Sequence, residues 1–306
     1  MTKPRILVIL GQTATGKSGL AVKIALRLRS GPTAKKGGGE IISADSRQVY
    51  KGLDIGTGKI TKREMMGVPH HLLDIASPKK KFTVVQFKAL AEEKIKEILG
   101  RGKIPIICGG TGFYIEAVTK GITFPEVPPN YELRKRLARK ETTALFRTLE
   151  KFDPERAKAM DPRNKVRLIR AIEIAMALGK VPKITKVKPM YKFVKIGLYL
   201  PQEKLKDKIR IRLFERIREG MINEARKLHR QGLSWKRMHG LGLEYKYMAL
   251  YLQDKISKQE MAKKLESEIY QYAKRQMTWF KRDKEIKWFD ASKDLNKALT
   301  FSKKVI

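Results

Sequence analysis

Apolar and polar positions follow two different periods along this chain. Four blocks are predominantly apolar without strict alternation: Ile6–Leu10, Glu40–Ala44, Ile104–Cys108 and Phe193–Leu200. Such runs predict strands covered on both faces, as in a parallel sheet. A shorter run, Ile286–Phe289, predicts a strand that closes the sheet. Between these blocks apolar residues recur at helical spacing, notably over Gly16–Arg29 and Thr83–Leu99. Strands separated by helical segments predict an α/β chain with crossover helices. Ser30–Gly39, with one proline and four glycines, is expected to be a flexible loop.

The alternation stops at Pro125 and resumes after Pro189. Pro125, Pro128 and Pro129 open this segment, and prolines and lysines in Lys180–Pro189 close it. Charged helical stretches lie between, at Tyr131–Lys140, Thr142–Lys151, Pro154–Met160 and Lys165–Leu178. The expected organisation is a sheet domain in two parts, 1–124 and 190–306, interrupted by a mostly helical insertion at 125–189. Residues 201–285 again read as helical. There Ile209, Leu213, Ile217 and Met221 recur at every fourth position and predict a core-facing stripe.

Composition narrows the class. The hydrophobic fraction of 42% over 306 residues is that of a globular protein with a sizeable core. No apolar run reaches the length of a membrane span, and Met-Thr-Lys-Pro-Arg leads into a strand rather than a signal sequence. Cys108 is the only cysteine, which excludes an internal disulfide and a cysteine-rich zinc site. A cytoplasmic protein is expected, with no membrane and no obligate protein partner implied. The formal charge of +37 is spread along the folded body, at +13 over 1–125, +9 over 126–190, +2 over 191–200 and +13 over 201–306. A field of that sign favours a polyanion, with nucleic acid the leading candidate; solvated surface lysines are the bland alternative.

The most specific chemical signal is Gly11-Gln12-Thr13-Ala14-Thr15-Gly16-Lys17-Ser18, directly after the first predicted strand and opening a helix. In that context the pattern is a phosphate-binding P-loop. Backbone N–H groups and a helix N-terminus surround an anion, Lys17 adds a point charge, and Ser18 can hold Mg2+. Asp45-Ser46 follows the second strand and Gly109-Gly110-Thr111 the third, so three turns converge where an open parallel sheet binds ligands. The third strand ends in no carboxylate of the kind that organises metal and water in P-loop ATPases and GTPases.

The chain resembles the bacterial tRNA dimethylallyltransferases, the IPP transferase family. The resemblance rests on the P-loop, Ile42–Lys59, Gly67–Asp74, Gly109–Tyr114, Phe152–Ala157, Arg167–Ile174 and Ala273–Phe280, in order and over nearly the whole length. It implies a P-loop NTPase-like parallel sheet flanked by helices. It also implies transfer of a dimethylallyl group from dimethylallyl diphosphate to N6 of the adenosine beside the anticodon, with the tRNA anticodon stem-loop as partner. Asp45, Thr111 and Arg212 would be catalytic: Asp45 toward the adenine amino group, Arg212 toward the leaving diphosphate, and Thr111, with Thr13, toward the diphosphate oxygens. Asp45, Ser46, Arg47 and Gln48 would meet the extruded base. Val166, Arg167, Leu168, Ile169 and Arg170 would touch tRNA.

Alternatives remain at this stage. Asp45 could serve only as a magnesium ligand, and Arg212, beside the apolar stripe, could be a solvated residue. His70 and His71 read as structural, and Tyr270, Tyr272, Trp279 and Phe280 as mostly core. The chain departs from the family pattern at Gln12, where proline is usual, and in Gly240–Tyr245, where the aromatic is displaced. Competing activities are a prenyltransferase acting on free adenine nucleotides and a P-loop small-molecule kinase. A non-catalytic RNA-binding module is the alternative from another class.

Overall fold

The computed structural model describes residues 3–29, 37–183, 185, 187 and 189–305. The loop expected over Ser30–Gly39 lies outside the described residues up to position 36, and its last glycine opens a strand. Positions 184, 186 and 188 of the expected closing segment Lys180–Pro189 also lie outside them. The described residues fall into two compact units, Met1–Lys120 with Lys188–Ile306, and Gly121–Val187.

The larger unit begins with β1 (Arg5–Gly11), α1 (Lys17–Arg27), β2 (Gly39–Ser43), α2 (Lys62–Met65), β3 (His70–His71), α3 (Val84–Gly100), β4 (Ile104–Gly109) and α4 (Gly112–Thr119). The smaller unit holds α5 (Tyr131–Ala138), α6 (Thr142–Phe152), α7 (Pro154–Lys158) and α8 (Lys165–Leu178). The larger unit then resumes with β5 (Lys192–Tyr199), α9 (Gln202–Arg218), α10 (Met221–Arg230), α11 (Trp235–Leu241), α12 (Leu243–Tyr251), α13 (Lys258–Phe280), β6 (Lys287–Asp290) and α14 (Leu295–Val305).

Among the described residues the strands form one six-stranded sheet in the order β3-β2-β4-β1-β5-β6, with every pair parallel. Both faces are covered, which explains why the strands read as apolar runs. Leu7 and Ile9 of β1 belong to the cluster that includes Leu20, Ala21 and Ile24 of α1, whereas Ile6, Val8 and Leu10 belong to the one that includes Phe87, Ala91 and Ile95 of α3. A third core lies among α9–α13 and includes Leu205, Ile209, Leu213, Met248, Met261 and Leu265.

A buried carboxylate marks the other end of the sheet. Glu40 in β2 is 3% exposed and accepts hydrogen bonds from Lys103 Nζ and Arg101 Nη2, both at 2.7 Å. His71 Nε2 lies 2.7 Å from its second oxygen partner site, Oε2. Burial opposes ionisation, but the pairs with Lys103, His71 and Arg101 outweigh it and hold the carboxyl at about 2.

The structure corrects the sequence reading in places. His70–His71 forms a short strand, pairing with Ile41 and Ile42, so Ile104–Gly109 is the fourth strand in chain order and not the third. Ile217 is only partly buried, while Ile209, Leu213 and Met221 are buried. Residues four apart drift by roughly 40° on a helix, so the stripe rotates off the core by the end of α9, and Met221 belongs to the next helix.

In the smaller unit the helices enclose a core that includes Leu133, Leu137, Leu145, Leu149, Leu168 and Ile172. Glu173, 2% exposed, fastens its edge. Its carboxylate accepts from Asn130 N–H at 2.6 Å and from Arg134 Nε and Nη2 at 2.8 and 2.6 Å, and pairs with Arg170.

Candidate active site

The sheet's carboxyl edge builds the site. β1 ends at Gly11, whose φ is 137° and where an added Cβ would stand 2.0 Å from the Leu198 carbonyl oxygen. No other residue fits there. Gly16, at φ 79°, turns the chain into α1, and Ala14 between them also adopts positive φ. The loop is stiffened from inside. The Gln12 carbonyl accepts from Thr15 Oγ1 at 2.8 Å and from Lys17 Nζ, and Gln12 Oε1 accepts from Leu200 N–H at 3.4 Å. Gln12 and Thr15 are therefore buried scaffold, while Thr13, Ala14, Gly16, Lys17 and Ser18 line the cavity.

That cavity has a volume of about 870 Å³. Besides the P-loop its walls include Asp45, Gln48, Gly109, Gly110, Arg212, Tyr272 and Gln276. Burial pushes the Lys17 ammonium down to about 8, with Arg212 adding to the effect and Asp45 opposing it. Burial also lowers the Arg212 pKa, Arg216 reinforcing this and Glu244 working against it. Two cations are thus held in the wall at an electrostatic cost that a bound anion would offset. Cys108 behind the P-loop is inert, its thiol pushed up to about 12 by burial.

Asp45 follows β2 and caps its own turn. Its Oδ1 accepts from Arg47 N–H at 2.8 Å and Gln48 N–H at 3.3 Å, which fixes the carboxylate at the cavity. Thr111 stands behind it, its Oγ1 accepting from Ser46 N–H at 3.0 Å; the glycines before Thr111 are what line the cavity. The Arg47 guanidinium donates to the Leu241 carbonyl at 2.6 Å, tying the turn to the end of α11.

Two features escaped the sequence reading. Glu224 of α10 gathers the loop before Arg212's wall: its carboxylate accepts from the N–H groups of Asp54, Ile55 and Gly56 at 2.9, 2.7 and 3.0 Å, and from Tyr245 Oη at 2.6 Å. This gives the displaced aromatic of Gly240–Tyr245 a definite place. Arg216 closes the same loop by donating to Gly56 O at 2.8 Å, and Arg216 also pairs with Glu244 at 3.1 Å. At Gly58 an added Cβ would lie 3.0 Å from Arg212 Nη2, so the loop also bounds Arg212.

The second feature is α13. Tyr272 lines the cavity instead of serving only as core, and burial raises its phenol's pKa. Gln276, four residues on, accepts from Thr13 N–H at 2.7 Å and donates to Gly110 O at 2.9 Å. The only sequence signal for either was membership of the Ala273–Phe280 run or the aromatic set.

Among the described residues no group of three or more His, Cys, Asp or Glu could hold a metal ion. His70 Nδ1 instead lies 2.8 Å from Val68 O, and His71 serves Glu40. Ser18 and Asp45, among the hard oxygen donors of the cavity, still suit magnesium, which takes few protein ligands and completes its shell with phosphate oxygens and water.

Within the smaller unit the 166–170 segment divides. Val166 is 79% exposed and Arg167 is exposed. Leu168 is fully buried in the helical core, so an RNA contact through its side chain is ruled out, and Ile169 is partly buried against that core. Arg170 is engaged with Glu173 and donates to Val127 O at 3.0 Å. An apolar residue three or four places from other apolar positions on a helix faces inward, and Leu168 obeys that spacing.

Comparison with known proteins bears on this site. A family model described as IPP transferase matches residues 48–283. A Treponema denticola protein named tRNA dimethylallyltransferase 2 is 45% identical over 285 residues, covering 92% of each chain. A tRNA dimethylallyltransferase of Anoxybacillus flavithermus is 39% identical over 295 residues, covering 95% of this chain and 91% of its own. The crystal structure of the full-length tRNA isopentenylpyrophosphate transferase of Bacillus halodurans superposes with a TM-score of 0.72 at 36% identity, covering 99% of this chain and 96% of that one.

Proposed function

The chain belongs to the IPP transferase family, and on that premise we propose that it transfers a dimethylallyl group from dimethylallyl diphosphate to N6 of the adenosine adjacent to the anticodon in cytoplasmic tRNA. It is a tRNA dimethylallyltransferase, an enzyme of tRNA modification. The observation that carries the mechanism is the meeting of Lys17, Ser18, Arg212 and Asp45 in one cavity.

The P-loop amides and Lys17 take the diphosphate, and Arg212 faces the charge that grows as the bond between the prenyl C1 and the bridging oxygen breaks. Magnesium bound through Ser18 and the diphosphate would supply further positive charge to the leaving group. The electron pair departs with the diphosphate, N6 forms the new bond to C1, and the proton lost from N6 goes to Asp45. The Asx turn holds that carboxylate ready to orient an exocyclic amine, which is a donor and a weak nucleophile. The adenine must leave its stack to reach Asp45–Gln48. No described helix is long and apolar enough to cross a membrane.

The reading is tested by the fate of phosphate. Incubation with dimethylallyl diphosphate and tRNA should release inorganic pyrophosphate only when both are present, and ATP should act at most as a weak competitor. Rapid RNA-independent ATP hydrolysis, or phosphate transfer to a small acceptor, would overturn it in favour of a kinase.

A further inference from the structure

The geometry points to Gln276 as a positioning residue that sets the spacing of the diphosphate cradle, an inference that rests on the diphosphate reading above. β1 and β4 are paired neighbours as far as Leu10 and Gly109. The ladder between them ends at that pair, and the chain continues to Thr13 on one side and to Thr111 on the other. The Gln276 amide rejoins them: Oε1 accepts from Thr13 N–H at 2.7 Å, and Nε2 donates to Gly110 O at 2.9 Å. The partners fix the orientation, since one is obligately a donor and the other an acceptor.

Three observations make this a built feature. Gln276 is 6% exposed, its bond to Gly110 O is buried and its bond from Thr13 N–H is part-buried, so leaving these groups unpaired is costly. Gly110 has no Cβ, and one there would stand 2.3 Å from Gln276 Nε2, so the glycine is required for the side chain to enter. Gln276 also lines the cavity together with Thr13 and Gly110 themselves, and Tyr272 does so one helical turn earlier. The bridge takes the Thr13 amide out of the set available to the anion. It holds the P-loop against the glycine turn at a fixed distance, so the cradle is organised before the ligand arrives. Such preorganisation appears in the affinity for the anion and not in the affinity for RNA.

The test uses Gln276→Met, which keeps the length and apolar volume but removes both hydrogen bonds, with inorganic pyrophosphate and magnesium as the calorimetric probe. Pyrophosphate affinity should fall about 10- to 100-fold, and KM for dimethylallyl diphosphate should rise correspondingly. The tRNA Kd should stay close to wild type, while the melting temperature falls modestly because the Thr13 N–H and Gly110 O are left without their partner. Gln276→Glu supplies a second readout should the first variant not fold. It can still accept from Thr13 N–H but can donate to Gly110 O only when protonated, so its deficit relative to wild type should shrink as pH falls from about 6 to about 4. Equal pyrophosphate affinity in wild type and variants, or a lower melting temperature with unchanged constants for the folded protein, would overturn the inference. Failure of wild type itself to bind pyrophosphate would instead overturn the diphosphate reading.

Discussion

Replacing Arg212 by alanine separates catalysis from stability more cleanly than any other change at this site. Burial and Arg216 both disfavour its charged form, with Glu244 giving partial relief. The free protein therefore gains little from this charge. Two unit charges about 4 Å apart at an effective dielectric constant near 20 interact by about 4 kcal/mol, and losing one preorganised contact to a developing anion costs about 2–4 kcal/mol. Arg212→Ala should then slow prenyl transfer by roughly 30- to 1000-fold, while the melting temperature stays the same or rises as repulsion from Arg216 is relieved. Single-turnover transfer of labelled dimethylallyl to tRNA, read beside a thermal melt, measures both quantities. Transfer within about threefold of wild type, or a loss matched by unfolding, would refute the argument that Arg212 serves the departing diphosphate.

Asp45→Ala should lower turnover by about 10²-fold or more while leaving the tRNA Kd nearly unchanged, as single-turnover kinetics beside a binding titration would show. Arg167→Ala should weaken tRNA binding and reduce the salt slope of log Kd by roughly one, measured between about 50 and 200 mM salt. The Glu40 carboxyl lies at about 2 when folded, against an ordinary 4.5, so its contribution is fully present above the higher value and disappears as pH falls toward the lower one. Denaturant titrations should accordingly show Glu40→Gln less stable than wild type by about 3 kcal/mol at pH 7, with the two converging in strong acid.

The strands and P-loop were legible because their signals are local. Leu7 and Ile9 pack on one face and Ile6, Val8 and Leu10 on the other, so a doubly covered strand announces itself as a run. β3 gave no such signal, since two histidines carry no apolar run and become a strand only through pairing with Ile41 and Ile42. Asp45 was placed by the convergence of turns at the strand ends and Arg212 by resemblance, and the structure brings both to the cavity of the P-loop. Glu224 and Gln276 could not be read in this way. Each is a polar residue on a helix that holds backbone groups more than 160 positions away, and a periodicity carries no information about such partners. Leu168 shows the converse, where a motif spanning consecutive residues ignores that a helix turns one of them into its core.

The central claim is that this cavity joins a dimethylallyl group to an adenosine of tRNA. It is tested most directly by mass analysis of nucleosides from unmodified tRNA incubated with the protein, dimethylallyl diphosphate and magnesium. The account predicts N6-dimethylallyladenosine, mapped by nuclease fragments to the position beside the anticodon and formed about 10²-fold or more slowly with Asp45→Ala. Unchanged tRNA nucleosides under these conditions, or prenylated free adenine nucleotides with the tRNA left untouched, would contradict it.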